Sequence, residues 1–505
     1  PSLPHAPRAL SSSCAVSLPP PAVACPLHCA QSHNRRLQNC HLPPQPSQSS
    51  TRRRASGSCG SGSDRHTSWL LKKGYKISGS DINNTTELKK LKKSGAKVYI
   101  GHRHSNINNA NLIVVSSAID LKNPEIIEAK KNSITIIPRA EMLGSLMKGY
   151  ESIAIAGSHG KTTTTSMIAK IFTVAMQSPT YVVGGKVLST DENSDLGEGK
   201  HLIAEADESD GSFIHLQPDV AVLTNIDDDH LVHYDNNFEN LLSSFVRFSE
   251  NVPFYGYLII NTDDKNIKKI SKRISRKQIS FGKSSQANYQ IQDPFYNNGW
   301  QFFKINKNEK IYKFKIQLPG VHNVYNAAAA IAVSMEEGIP LKAIKEGIAK
   351  FSGVGRRYEK HEIYIKPSYK VLIDDYGHHP IEVLSTIKAY KEEFPKSRSL
   401  MIFQPHRFSR TAQLFDDFIK VLKKVDSVVL LDIYAASEKP IKGIDSRTIV
   451  ETLKQQGHKD VTYLKNHNDI NALIKQRRDD FDILITQGAG SVSIVCNSII
   501  GKWKV

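Results

Sequence analysis

The sequence predicts an α/β protein of three folded domains behind a disordered leader: a Rossmann-like domain, a central P-loop domain and a second Rossmann-like domain. Three observations predict it. Short apolar runs alternate with helical segments, the signature of parallel sheets covered by helices. One run, Ile153-Ala-Ile-Ala-Gly157-Ser158-His159-Gly160-Lys161-Thr162-Thr163, passes from a strand through glycines into Lys-Thr at a helix start. Composition also changes abruptly near Leu70.

Residues 1–63 contain no Asp, Glu, Lys or Ile, yet hold ten of the 23 prolines and five of the six cysteines. Such a stretch buries too little apolar surface to offset its ordering entropy, so residues 1–66 are expected to be disordered. The Ser/Arg-rich, acid-free composition resembles an organellar transit peptide, and a shifted reading frame accounts for it equally. Its cysteines lack the paired spacing of a zinc site. Beyond them only Cys496 remains, as expected of a reduced, cytoplasmic protein. The 505 residues carry a net charge of +18. Lys-Lys pairs on helix faces, without interleaved aromatics, make that charge a solvated surface and not a nucleic-acid site. No apolar run reaches the ~18–20 residues of a membrane span, so no membrane insertion is expected.

The first domain is placed at 67–148. Tyr75–Asp81 reads as a strand, a helix follows from Thr86, and Lys97–Ile100 and Leu112–Ser117 are further strands. Ligands of such sheets sit at strand carboxyl ends, here Ser80, Asp81, Ser116 and Ser117. No apolar strand precedes Tyr75.

The second domain, 149–355, carries the phosphate loop. Glycines let backbone N–H groups face an anion, Lys161 reaches terminal phosphates, and Thr162 can hold Mg²⁺. His201-Leu-Ile-Ala-Glu205 and Val220-Ala-Val-Leu-Thr-Asn225-Ile-Asp-Asp-Asp-His230 then deliver Glu205 and His230 to the same sheet edge, as candidates for a second Mg²⁺ site. The third domain, 356–505, ends strands in Asp374-Asp375-Tyr376-Gly-His378-His379-Pro380 and Phe403-Gln-Pro-His406-Arg407-Phe-Ser-Arg410. Arg407 and Arg410 stand three apart, so on a helical turn they would share a face and clamp an anion.

These runs, with His322-Asn-Val-Tyr-Asn326, Asn251-Val-Pro-Phe-Tyr-Gly256 and Tyr434-Ala-Ala-Ser-Glu-Lys-Pro440, resemble the Mur ligase family over about Leu70 to the C-terminus. The resemblance is nearest to the alanine-adding branch, whose Phe403–Thr411 pattern differs from that of the tripeptide-recycling branch. It implies the three-domain Mur ligase architecture, opened by a strand and a glycine-rich loop that are expected to be missing here, and ATP-dependent joining of L-alanine to the lactyl carboxylate of UDP-N-acetylmuramate, with ATP and Mg²⁺ as cofactors. By the same resemblance Lys161 serves the phosphates, and Thr162, Glu205 and His230 hold metal. His322 and Asn326 recognise adenine, and Arg356 or Arg357 closes the third domain with Asp375 while Tyr376 packs near the base. His378, Arg407 and Arg410 orient the reacting groups, His406 contacts substrate, and His378 or His406 is the candidate base. A tripeptide-recycling ligase and a non-catalytic nucleotide-binding protein are the alternatives, and monomer and homodimer both stay open.

Overall fold

In the computed structural model, residues 54–58, 70–71, 74–82, 84, 86–116, 119–187, 192–229, 231–436 and 438–505 are described. The expected disorder of the leader falls largely outside them, as do Ser117 and His230. The described elements form three sheets in chain order within one compact unit, Arg52–Val505. No described helix is long and apolar enough to cross a membrane.

The first sheet has β1 (Arg54–Ser58), β2 (Lys76–Asp81), β3 (Lys97–Ile100), β4 (Leu112–Val115) and β5 (Thr135–Pro138), all parallel, in the order β3-β2-β1-β4-β5. This corrects the expectation of a missing first strand. Arg54-Ala-Ser-Gly-Ser58 is the central strand, paired with β2 on one side and β4 on the other. A search for apolar residues passes over it, because parallel pairing is made by backbone N–H and C=O groups that every non-proline residue carries.

The second sheet has ten strands: β6 (Glu151–Ala156), β7 (Thr180–Val187), β8 (Glu192–Asp195), β9 (His201–Ala206), β10 (Val220–Leu223), β11 (Tyr257–Asn261), β12 (Gln278–Gly282), β13 (Tyr289–Asn297), β14 (Trp300–Lys307) and β15 (Lys310–Ile316). Strands β7, β9, β6, β10, β11, β12 and β13 run parallel in that order, while β14, β15 and β8 are antiparallel additions at the edges. The central parallel strands β6, β9, β10 and β11 read as apolar runs because both faces are covered. Ile153 and Ile155 face one core, with helices Lys161–Val174, Val321–Glu336 and Leu341–Ala349; Ala154 and Ala156 face the other, with helix Phe238–Glu250. That alternation is the period of two of a strand.

The third sheet has β16 (Glu359–Ile365), β17 (Ser368–Asp375), β18 (Ser399–Phe403), β19 (Ser427–Leu430), β20 (Val461–Tyr463) and β21 (Ile483–Gln487), ordered β16-β17-β21-β18-β19-β20. Only β16 is antiparallel. Strands β17 and β18 therefore end side by side with β21 between them, and their polar turns meet at one edge, where ligands of such sheets bind.

Candidate active site

Strand β6 ends in Gly157, and helix Lys161–Val174 starts after Gly160, which has φ 82°. A Cβ at Gly157 would overlap the Thr224 hydroxyl, and one at Gly160 the Asn326 side chain, so only glycine lets this loop lie against its neighbours. The segment after β10 fixes the loop from outside. Ser158 N–H donates to the Asn225 carbonyl (3.0 Å), His159 N–H to Asn225 Oδ1 (2.8 Å) and the Thr224 hydroxyl to the His159 carbonyl (2.7 Å).

Lys161 Nζ donates to the Gly157 carbonyl (2.6 Å) and to both oxygens of Glu208 (2.7 and 2.9 Å). Burial alone would lower the Lys161 pKa, but the carboxylates of Glu208 and Asp207 hold it above its ordinary value. Burial pushes Glu208 up to about 7 against the pull of Lys161. Beside them the Thr162 hydroxyl donates to Glu205 Oε2 (3.1 Å), and Gly184 N–H donates to the other oxygen. The Thr162 hydroxyl and the Glu205 carboxylate offer the hard-oxygen donors that Mg²⁺ prefers, so these residues fit the ion.

A cavity of about 670 Å³ opens next to the loop, between the second and third sheets. His159, Gly160, Thr162, Thr163, His322, Asn326, Arg357 and Asp375 all line it, which brings together most of the expected ATP-binding residues. His322 is exposed into this cavity, where its imidazole can both donate and accept, as recognition of a purine edge requires. Asp375 is internally engaged: it accepts from Gly377 N–H, Tyr358 N–H and Gln487 Nε2, each at 2.8 Å. Burial raises its pKa, with Arg357 pulling the other way. Arg356 turns away to Asp374 (2.9 Å) and the Gly488 carbonyl (2.7 Å), which leaves Arg357 as the cavity arginine. The ring of Tyr376 carries both guanidinium groups, at 5.4 and 5.0 Å.

His159 sits between a carboxylate of its own domain and one of the third domain. His159 Nε2 lies 3.0 Å from Asp227, and Nδ1 lies 3.2 Å from Glu382 in the third domain. Burial would lower the His159 pKa, but these two carboxylates raise it to about 10. Arg410 reaches back to Asp229 at 2.8 Å and sits 3.2 Å from His406 Nδ1. His378 packs beside His406, with ring centroids 5.2 Å apart, and burial pushes it down to about 3.

Several expectations need correction. Arg407 and Arg410 do not share an anion. Arg407 stands before helix Phe408–Gln413 at φ 70° and faces Glu438 (3.9 Å), while Arg410 faces Asp229, because the helix begins only after Arg407. Ser80 is buried at the end of β2 and donates to Glu125 (2.7 Å), next to His102 (2.9 Å), so its hydroxyl is spent inside the domain. Asp81 and Ser116 are half-buried at the same sheet edge. Glu208, Asp229 and Glu382 were not singled out from sequence. Asp229 lies within the acidic run already quoted and Glu208 three residues beyond Glu205, while Glu382 is the third residue of the helix that opens with Pro380.

The fold and this site define a P-loop α/β protein whose phosphate loop opens on a cleft between two sheet domains. Family comparison refines the class. In chain order, residues 56–151 match the Mur ligase family, catalytic domain, residues 155–334 the Mur ligase middle domain, and residues 356–490 the Mur ligase, glutamate ligase domain. The chain belongs to the Mur ligase family, ATP-dependent ligases of peptidoglycan synthesis. Among solved structures, the UDP-N-acetylmuramate-alanine ligase of Thermotoga maritima matches with a TM-score of 0.75 at 26% identity, over 89% of this chain and 98% of that one. The murein peptide ligase of Psychrobacter arcticus matches with 0.65 at 19%, over 89% and 98%. The MurF ligase of Thermotoga maritima, solved in complex with ADP, matches with 0.58 at 16%, over 85% and 94%.

Proposed function

We propose that this protein joins L-alanine to the lactyl carboxylate of UDP-N-acetylmuramate in the cytoplasm, using ATP. One observation carries the reading. Thr162, beside Lys161 and Glu205 of the second domain, lines a cleft that Arg357 of the third domain also lines, and Arg410 of the third domain is bridged to Asp229 of the second. The 26% likeness to the alanine-adding ligase and the Phe403–Thr411 run favour alanine over a tripeptide.

In the first step a carboxylate oxygen attacks the γ-phosphorus, the bond to the β-bridging oxygen breaks, and ADP leaves. Two anions must meet, so fixed positive charge is the main requirement. Lys161 supplies it, and the N–H groups of the glycine loop supply oriented dipoles. Mg²⁺, held by Thr162 and Glu205, would neutralise phosphate charge when bound. In the second step the amine nitrogen attacks the acyl carbon, the carbon–oxygen bond breaks, inorganic phosphate leaves with its electron pair, and the proton lost by the amine passes to that phosphate or to solvent. In this reading Arg410 exchanges its bond to Asp229 for one to the amino-acid carboxylate. His378 and His406 lie beside it, and the neutral His378 ring can accept a hydrogen bond from the amine.

The test is phosphate release by the full chain with ATP, Mg²⁺, UDP-N-acetylmuramate and L-alanine, each omitted in turn. Release that needs all four is expected. Release with an alanyl-glutamyl-diamino-acid tripeptide in place of alanine would move the chain to the recycling branch. ATP binding with no release under any combination would make it a non-catalytic nucleotide-binding protein.

A further inference from the structure

At the edge of the central sheet opposite the phosphate loop, β6 and β9 begin and helix Val321–Glu336 ends. These three ends bring Glu151, His201 and Glu337 together. His201 Nε2 lies 3.3 Å from Glu151 Oε2 and 3.7 Å from Glu337 Oε2, and the three ligand atoms all lie within 4.8 Å of one another. The His201 side chain is 3% exposed, and neither ring nitrogen makes a hydrogen bond. The Phe172 ring meets it edge-on at 4.7 Å and offers no polar partner. A buried imidazole without hydrogen bonds is costly, and one aimed at two carboxylates has the outline of a ligand set.

We propose that Glu151, His201 and Glu337 bind a divalent transition-metal ion of the zinc class, at a site separate from the nucleotide. Tetrahedral zinc with bonds of ~2.0–2.1 Å sets its ligand atoms about 3.4 Å apart, close to the two distances found here. One imidazole with two carboxylates suits zinc and its neighbours better than Mg²⁺ or Ca²⁺, which favour oxygen alone. Glu151 is half-exposed, so a water can complete the coordination. Lys200 Nζ lies 2.6 Å from the same Glu151 oxygen on an exposed side chain, and the ion must displace it. The opposite ends of these elements carry Gly157, Glu205 and His322, so a bound ion ties the base of the nucleotide site together.

The test uses the full chain, stripped by a chelator and free of nucleotide, titrated with Co²⁺ and followed by its visible absorption. One equivalent is expected to bind, with the intense spectrum of a four-coordinate nitrogen–oxygen site, and Zn²⁺ should displace it. Glu151→Gln, at a half-exposed position, should weaken binding at least about tenfold, and His201→Phe should abolish it. Lys200→Ala should tighten it, and Glu205→Gln, on the nucleotide side, should leave it unchanged. No such spectrum, one that survives both Glu151→Gln and His201→Phe, or one lost on Glu205→Gln would overturn the proposal.

Discussion

Lys161 meets a buried carboxylate before any phosphate arrives. Glu208 keeps the ammonium charged and close to the loop, so the counter-charge for the first step is in place at little cost in reorganisation. Replacing Lys161 with Ala removes a fixed stabilising charge, and turnover should fall by about 10²–10³. Steady-state phosphate release measures this, and a variant within about fivefold of the parent would contradict the role. His159 gives a pH signature. Its pKa rises from 6.5 to about 10 on folding, between Asp227 and Glu382. A raised histidine contributes stability that is complete below 6.5 and lost as pH climbs through about 10. The difference in melting temperature between the parent and His159→Gln should therefore be largest near pH 6 and shrink steadily toward pH 10. A gap independent of pH would mean that the carboxylates do not hold the imidazolium. The spacing of Lys161 and Thr162 was legible in the sequence because a phosphate loop is local. Glu382 was not, since its role arises only when a helix of another domain meets His159.

At the scale of elements, the loop between β6 and its helix depends on two glycines more than on any side chain. Gly157 has φ 137° and abuts Thr224, while Gly160 has φ 82° and abuts Asn326. Gly157→Ala adds a clash to a conformation that costs about 1–3 kcal/mol for other residues. The denaturation midpoint should drop accordingly, and ATP affinity should fall more steeply than stability, because the same atoms form the phosphate cradle. Equilibrium unfolding beside nucleotide titration would separate the two effects; unchanged affinity would show that the loop can shift. The apolar strands β6, β9 and β10 could be read from sequence because two covered faces demand continuous Val, Ile, Leu and Ala. Strand β1 could not be, since nothing in Arg54-Ala-Ser-Gly-Ser58 departs from loop composition. The Arg407–Arg410 spacing misled for a similar reason: three residues apart share a face only if both lie inside the helix, and this one starts at Phe408.

The whole molecule is a chain of three sheets, and named side-chain pairs join the second to the third. Arg410 and Asp229 form one such contact, and Arg410→Ala should raise the KM for the amino acid by tenfold or more (about 1.4 kcal/mol) while ATP binding changes little; equal losses would assign Arg410 to closure alone. The first sheet offers a sharper separation. Its central strand β1 pairs on both sides, so every N–H along it faces a neighbouring strand. Proline at Ser56 removes one of those donors and is excluded from interior strands. Ser56 lies opposite Ser78 on β2 and Ile113 on β4, far along the chain from the phosphate loop. Ser56→Pro should therefore leave ATP affinity within about twofold of the parent, yet raise the UDP-sugar concentration needed for half-maximal phosphate release by at least about tenfold. Both arms can be read from one preparation, by nucleotide titration and by phosphate release. If the sugar-nucleotide dependence is unchanged, β1 is dispensable and the substrate's nucleotide is held elsewhere. If both affinities collapse together, the first sheet supports the second and the two do not act as separable binding units.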